Sequence, residues 1–219
     1  MTETAELFRR ASILALLLGI VPAIVINLNY LIAASEGIVP WCVPYWEGCT
    51  SISATGREGT AFYFFKASMA PLAFIYAWYW LTVTACLRTI GYSGRGISVL
   101  GIIASLALLI YTLVLGAGGD YFQLTRRIGI IFYFTLVYLC QLLVVYRLGR
   151  GAVSDPSRHW QLALLTLVLL LGLLSLLLDA VLDHYDDYED SFEWTLALLL
   201  HGNFLLGAWG WRNLAGSSS

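Results

Sequence analysis

Charge is scarce in this chain. Asp, Glu, Lys and Arg make up 12% of its 219 residues, about half the share of an ordinary soluble domain. Lysine occurs once, at Lys66, and the formal net charge is -2. With no basic cluster and no interleaving of basic and aromatic residues, nucleic acid is excluded as a partner. The familiar catalytic signatures are missing as well: no G-x-S-x-G elbow, no H-E-x-x-H and no phosphate-binding P-loop. None of the four cysteines has zinc-finger spacing. Internal repeats and Pro- or Ser-rich linkers are absent too, so the chain reads as one domain.

What is present is apolar. Hydrophobic residues reach 59% and the mean hydropathy is +0.78. A soluble fold of this length has no room to hide that much apolar surface, so lipid must serve as solvent for much of it. A membrane-spanning helix needs roughly 20 mainly apolar residues. Six stretches meet that length, at about 12–34, 61–86, 97–116, 128–147, 160–180 and 192–212. The expected fold is all-α, a polytopic bundle of six helices over residues 1–214. Residues 215–219 form a tail whose terminal Gly-Ser-Ser-Ser reads as an appended remnant. The first apolar run is too long for a cleavable signal peptide.

Arginine sets the orientation, because cytoplasmic loops carry the excess of Lys and Arg. One side holds Arg9, Arg10, Arg88, Arg95, Arg147, Arg150, Arg158 and Arg212, the other Arg57, Lys66, Arg126 and Arg127. Both termini are therefore expected in the cytoplasm. The membrane would be the plasma (inner) membrane of a bacterium or an endomembrane of a eukaryote. Of the acids only Glu3, Glu6 and Asp155 fall inside, which makes the outer face acidic. Arg126 or Arg127 is expected to pair with one of those acids, since an unpaired charge there is expensive.

The first outer loop holds Cys42 and Cys49, which could form a disulfide in an oxidising compartment or remain free thiols. Cys86 and Cys140 read as small core residues. The same loop continues as "CTSISATGREGTAFYFF", Cys49 to Phe65. Ser53, Thr55 and Thr60 are N-cap candidates for the second span, with Gly56 and Gly59 permitting the turn. The same residues could instead make an anion site, with Ser51, Ser53 and the free N–H groups supplemented by Arg57 and Lys66. Lys66, just inside the span, either snorkels or faces the bundle interior.

The last outer loop is acidic. Asp179 and Asp183 share a helical face, and His184, Asp186, Asp187, Glu189, Asp190 and Glu193 follow. A divalent cation could bind over 183–190, although the spacing fits no EF-hand and such runs are usually solvated. Glu193 suits the start of the last helix, and His201 lies eight residues on, about 12 Å deeper. His201 either hydrogen-bonds a neighbouring helix or acts as a proton-transfer or headgroup-binding residue. His184 with Glu189 gives H-x4-E, a near miss of the H-x4-D acyltransferase pattern. Trp41, Tyr45, Trp46 and Trp194 fit an outer interfacial belt, and Trp160, Trp209 and Trp211 an inner one.

Two stretches carry a family resemblance. "TSISATGREGTAFYFFKASMAP", a Ser-Ile-Ser-x-x-Gly loop leading into the second span, and "FEWTLALLLHGNF" in the last helix resemble the DRAM/FRAG/Sfk family. That family includes damage-regulated autophagy modulators and the lipid-remodelling factors that act after GPI attachment. The resemblance implies six spans with cytoplasmic termini and work on membrane lipids, and it carries Ser51, Ser53, Gly56, Glu193 and His201 onto this chain. Eleven arginines to one lysine suit a GC-rich bacterial source, where the target would be an ordinary phospholipid or glycolipid.

The expected site is thus an outward polar cleft for a lipid headgroup, lined by Ser51, Ser53, Gly56, Arg57, Lys66, Arg126, Asp179 and Asp183. No resident cofactor is expected, the cation at 183–190 aside. The protein would bind lipid without chemistry, or act as an acyltransferase or hydrolase with His201, Glu193 or His184 as catalytic groups. The topology is checked with Asp187→Cys, expected to react with an impermeant thiol reagent from outside only. Labelling solely from the cytoplasmic side would overturn it.

Overall fold

The computed structural model describes residues 3–150, 155–182 and 185–217. Among them the chain is all-helical. Six helices are long: α1 (Glu3–Ser35), α4 (Gly59–Thr89), α5 (Gly96–Val114), α6 (Asp120–Leu148), α7 (Arg158–Val181) and α8 (Asp186–Ser217). Two short helices, α2 (Pro44–Glu47) and α3 (Ile52–Thr55), sit in the loop between α1 and α4.

Five of these, α1, α4, α5, α6 and α7, are long and apolar enough to cross a membrane. α8 has the length but not the apolarity, because Glu193, His201, Asn203 and Arg212 interrupt it. Its position explains how it tolerates them. α8 packs along α1 on one side and α7 on another, and the α1–α8 contact is the most extensive in the protein. His201 and Asn203 are buried, so the helix is shielded by its neighbours rather than matched to lipid.

Close approach of α1 and α8 follows from small residues at helical spacing. Ala11, Ala15 and Gly19 recur every fourth position on α1, and both alanines are fully buried. Small residues let membrane helices bring their backbones together, which is what drives association when lipid is as apolar as the side chains. A Cβ added at Gly19 would collide with Leu205 of α8. Ser12 Oγ donates to the Ala208 carbonyl at 2.8 Å across the same seam. At the centre of the bundle Tyr76, Tyr79 and Trp80 of α4 surround Phe204 of α8, with ring centroids 5.3–5.9 Å from it. Edge-to-face pairs of this kind add about 0.5–1.5 kcal/mol each beyond burial.

α7 is different. Only Gln161, Leu165 and Val168 are buried on it, it packs on α8, and it barely touches α6. Its C-terminal half leaves Leu173, Leu174, Leu176 and Leu177 exposed, a surface of the kind an apolar solvent permits.

Several expectations need correction. Trp194 is fully buried and Trp211 is 2% exposed, so neither belongs to an interfacial belt; Trp211 stacks on Phe8 instead, centroids 5.9 Å apart. Trp41, Trp46, Trp160 and Trp209 are exposed, as belt residues must be. The helix cap is also reassigned. Neither Ser53, Thr55 nor Thr60 caps α4 by its side chain. Glu36, just past α1, accepts from the Thr60 N–H at 3.0 Å, and Ser51 caps the short α3 by accepting from the Ala54 N–H at 3.0 Å. Gly59 does permit the turn: its φ is +63° and any side chain would strike Glu36. Gly56 keeps negative φ and is needed for space, since a Cβ there would press on Leu115 and Phe65.

Cys42 and Cys49 are joined as a disulfide, with Cα atoms 6.6 Å apart, inside the usual range. Cys86 and Cys140 are free and buried. Helix α8 continues through Ser217.

Packing of α5 on α4 is equally tight at Gly101, where a Cβ would collide with the Trp80 side chain, whereas Gly172 on α7 meets nothing. Gly101→Ala should lower stability by about 1–3 kcal/mol through overpacking, read as a fall in the thermal midpoint in detergent. Gly172→Ala should leave it unchanged or slightly raised.

Candidate functional site

The end of the bundle that carries the α1–α4 loop is built around a contact between residues far apart in sequence. Trp194 Nε1 on α8 donates to the Thr50 carbonyl at 2.8 Å, and the neighbouring Glu193 carboxyl faces the Ile52 backbone N–H. The Glu-Trp pair of the last helix therefore clasps the Thr50–Ile52 stretch that opens the Ser-Ile-Ser loop. Tyr30 and Tyr45 stand edge-on to the Trp194 indole, centroids 6.1 and 5.2 Å away. Tyr30 Oη also accepts from the Cys42 N–H at 2.7 Å, which ties the disulfide-closed loop to the same wall.

Beyond the clasp, the loop's polar groups are held to one another. Ser51 Oγ and Ser53 Oγ share a hydrogen bond of 3.1 Å. Arg57 Nη2 donates to Ser53 Oγ at 2.8 Å. From α1, Asn29 Nδ2 donates to Thr55 Oγ1 at 2.9 Å, while Asn29 Oδ1, fully buried, has no partner. Arg126 comes from the far side, its Nη1 donating to the Ala117 carbonyl at 2.6 Å. Gly116 lets that turn approach: its φ is +81° and a Cβ would lie 2.8 Å from the Arg57 carbonyl. Arg57, Arg126 and Glu193 all lie within electrostatic reach of the Tyr111 hydroxyl, which itself is buried without a hydrogen bond.

Among the described residues neither Arg57 nor Arg126 forms a salt bridge; the two ion pairs present are Glu6 with Arg9 and with Arg10. The expected pairing of Arg126 or Arg127 with an acid is thus not found there. Arg126 spends a donor on a loop carbonyl, and Arg127 is exposed.

Beneath these groups lies a cavity of about 30 Å³, room for one or two water molecules. Glu193, His201, Tyr111 and Tyr133 contribute its polar atoms, and Ile52, Phe65, Met69 and Leu108 are among its apolar wall. His201 and Glu193 are therefore brought to one cavity, as their spacing on α8 suggests, but it is narrow and mainly apolar rather than an open cleft. The His201 ring lies beside the Ala197 carbonyl of its own helix, and its Nδ1 makes no aligned hydrogen bond.

Other sequence candidates fall elsewhere. Lys66 Nζ donates to the Leu113 carbonyl at the end of α5, 2.9 Å away, and sits 4.2 Å from the Phe62 ring centroid. It closes a helix end and does not join the arginines. Asp179 is exposed near the end of α7. Asp183 and His184 lie outside the described residues, as do the side chains of Asp186 and Asp187, so most of the acidic run expected to hold a cation does too. Among the described residues no three of His, Cys, Asp and Glu gather as a metal-ligand set.

Tyr111, Tyr133 and Asn29 were not singled out from the sequence. The available signal was polarity inside apolar spans, which also marks Gln141 and Gln161. Tyrosine is too common in membrane helices to stand out by that criterion.

Near the clasp, Asp190 is half-buried beside Glu189, and this pushes its pKa up to about 6 despite Arg57. A carboxyl raised in the fold favours the folded state while protonated and penalises it once ionised. The penalty grows between about pH 4 and pH 6 and is complete above that. Asp190→Asn should therefore raise the thermal midpoint at pH 7.5 and leave it unchanged at pH 4, which a pair of melts would test. Comparison with protein-family models, characterised proteins and solved structures gives no match, so a function for this chain has to be argued from its own geometry.

Proposed function

We propose that this chain is a six-span integral membrane protein, both termini cytoplasmic, whose outer end binds the anionic headgroup of a membrane lipid and so influences lipid composition or distribution. The observation that carries the reading is that Arg57 and Arg126 both lie within electrostatic reach of the buried Tyr111 hydroxyl, while neither guanidinium forms a salt bridge among the described residues. Two such cations at a membrane surface favour a phosphate, which accepts several guanidinium hydrogen bonds at once. Ser51 and Ser53 add hydroxyls beside Arg57. The headgroup sits at the mouth, since the cavity below admits only water-sized groups. Acyl chains have a route along the thin contact between α6 and α7. α8 is the sixth span, its polar residues covered by α1 and α7. The likeness to the DRAM/FRAG/Sfk family in the Ser-Ile-Ser loop and the Glu-Trp helix start agrees with lipid work.

The enzymatic alternative draws on the shared cavity of Glu193 and His201. It needs a nucleophile near a base. Ser51 and Ser53 are instead engaged with each other, with the Ala54 N–H and with Arg57. Binding without turnover is the reading the contacts favour.

Mass spectrometry of lipid retained by the purified protein tests this. The parent should keep an anionic phospholipid, and the Arg57→Gln, Arg126→Gln double variant should retain about tenfold less, the effect of losing one or two charge-assisted bonds. Equal retention would overturn the headgroup site. A new acylated or deacylated lipid, formed by the parent and absent with His201→Ala, would replace binding by catalysis.

A further inference from the structure

The end of the bundle away from the α1–α4 loop gathers the starts of α1, α5 and α7 and the ends of α4, α6 and α8. Cys86 Sγ near the end of α4 meets the Leu7 carbonyl of α1 at 3.6 Å, Phe8 stacks on Trp211 of α8, and Ser157 before α7 stands against Gly210 of α8. Most of the chain's arginines fall at this end. Arg9 and Arg10 are paired there with Glu6. Arg147, Arg150 and Arg158 form no salt bridge among the described residues. Aromatic rings and a glycine hold them instead.

Observed contacts bring the three together. Arg147, in the last turn of α6, places its Cζ 5.0 Å from the ring centroid of Tyr92, in the α4–α5 connection, and 5.7 Å from that of Tyr146. Arg150, just past α6, places its Cζ 4.9 Å from the same Tyr146 ring. Arg158, at the start of α7, lies against Gly149, the residue before Arg150. A Cβ at Gly149 would strike Cζ, Nε and Nη2 of that guanidinium together. The missing side chain at Gly149 is thus what admits Arg158 beside the segment that carries the other two.

Stacking on a ring engages the face of a guanidinium and leaves its in-plane N–H groups pointing past the rim. Arg158 Nε is buried and has no hydrogen-bond partner. The nearest acid in sequence, Asp155, is engaged elsewhere: Oδ1 accepts from the Ser157 N–H at 2.9 Å and from Ser157 Oγ at 2.7 Å, and Oδ2 has a 3.4 Å contact with Gln161 Nε2. Three cations on adjoining segments, with no carboxylate paired to them, call for an anion with several acceptor oxygens, which a phosphate offers. Depth decides its source. Tyr146 and, two residues past Arg158, Trp160 are exposed, as aromatic side chains at a membrane–water boundary are. Arginines flanked by such residues stand at the level of lipid phosphates and attract anionic lipid.

We propose that Arg147, Arg150 and Arg158, seated on Tyr92, Tyr146 and Gly149, form a site for the phosphate of an anionic phospholipid at the end of the bundle opposite the α1–α4 loop.

Tyr146 and Arg150 are exposed, so the bound lipid exchanges freely, and the site is read by titration rather than by what survives purification. Full-length protein carrying Arg57→Gln and Arg126→Gln serves as background, which keeps a failure here separate from the outcome at the other end. In neutral detergent it is titrated with phosphatidylglycerol or phosphatidylcholine, and native mass spectrometry counts the bound lipid. The expected result is a saturable complex with phosphatidylglycerol and one roughly tenfold weaker with phosphatidylcholine. Adding Arg147→Gln and Arg150→Gln should weaken the phosphatidylglycerol complex roughly tenfold or more, the effect of losing charge-assisted bonds. Adding Arg9→Gln and Arg10→Gln instead removes the same charge from the same end and should leave it within about twofold. Equal weakening by both pairs would reduce the site to a diffuse basic surface and overturn it, as would equal affinity for the two lipids. Displacement by inorganic phosphate or by polyglutamate at equal concentration would assign the arginines to a free anion or to an acidic protein segment, and overturn the lipid site. Should Arg147→Gln prevent folding, Arg150→Gln alone decides, with a loss of about fivefold expected and unchanged affinity overturning the site.

Discussion

In a bilayer no water stands ready to satisfy a polar group, so whatever is polar must be satisfied by protein. For this chain that constraint falls on α8. It carries Glu193, His201 and Asn203 on a helix that is otherwise apolar, and the neighbouring helices are arranged to cover it. The small-residue stripe Ala11, Ala15, Gly19 brings α1 against it. The aromatic group of α4 closes on Phe204, and Gln141 of α6 reaches the Leu200 carbonyl. The polarity that disqualifies α8 as an ordinary lipid-exposed span is what places it where two polar clusters can form, one at each end.

Those ends are built in different ways. At the end that carries the α1–α4 loop, Arg57 of that loop and Arg126 of α6 form no salt bridge among the described residues, beside a cavity whose walls are largely apolar. At the opposite end, the Asp155 carboxylate is held by the Ser157 N–H and hydroxyl, with Gln161 beside it.

Fold class and helix positions were readable because hydrophobic runs and their separations are determined by bilayer thickness. All six expected stretches fall on long helices, five of them apolar enough to cross unaided. Side-chain roles at the helix ends were harder. Ser53 and Thr60 sit where a cap belongs, yet the cap comes from Glu36, distant in sequence and supplied by the way α1 ends beside α4. Trp194 looked interfacial by its place at the edge of a helix, but its N–H finds the Thr50 carbonyl and the ring is drawn inside. Periodicity says which face is apolar, and says nothing about which distant backbone atom will meet an indole. The spacing of Glu193 and His201 did place them on one cavity, because both lie on the same helix. Their distance from Tyr111 could be known only after α5 was docked.

The Thr50–Ile52 clasp has a consequence for how the molecule is made. Its two halves are 144 residues apart, and the Ser12 contact across the α1–α8 seam spans 196. During synthesis the first helix enters the membrane long before its main partner exists. Until α8 arrives, the Ala11–Gly19 stripe lacks its partner and the α1–α4 loop lacks the anchor that Trp194 supplies. Helix α8 is thus the one that locks the first, and a chain interrupted before residue 193 would hold most of its long apolar helices but neither the seam nor the closed loop end.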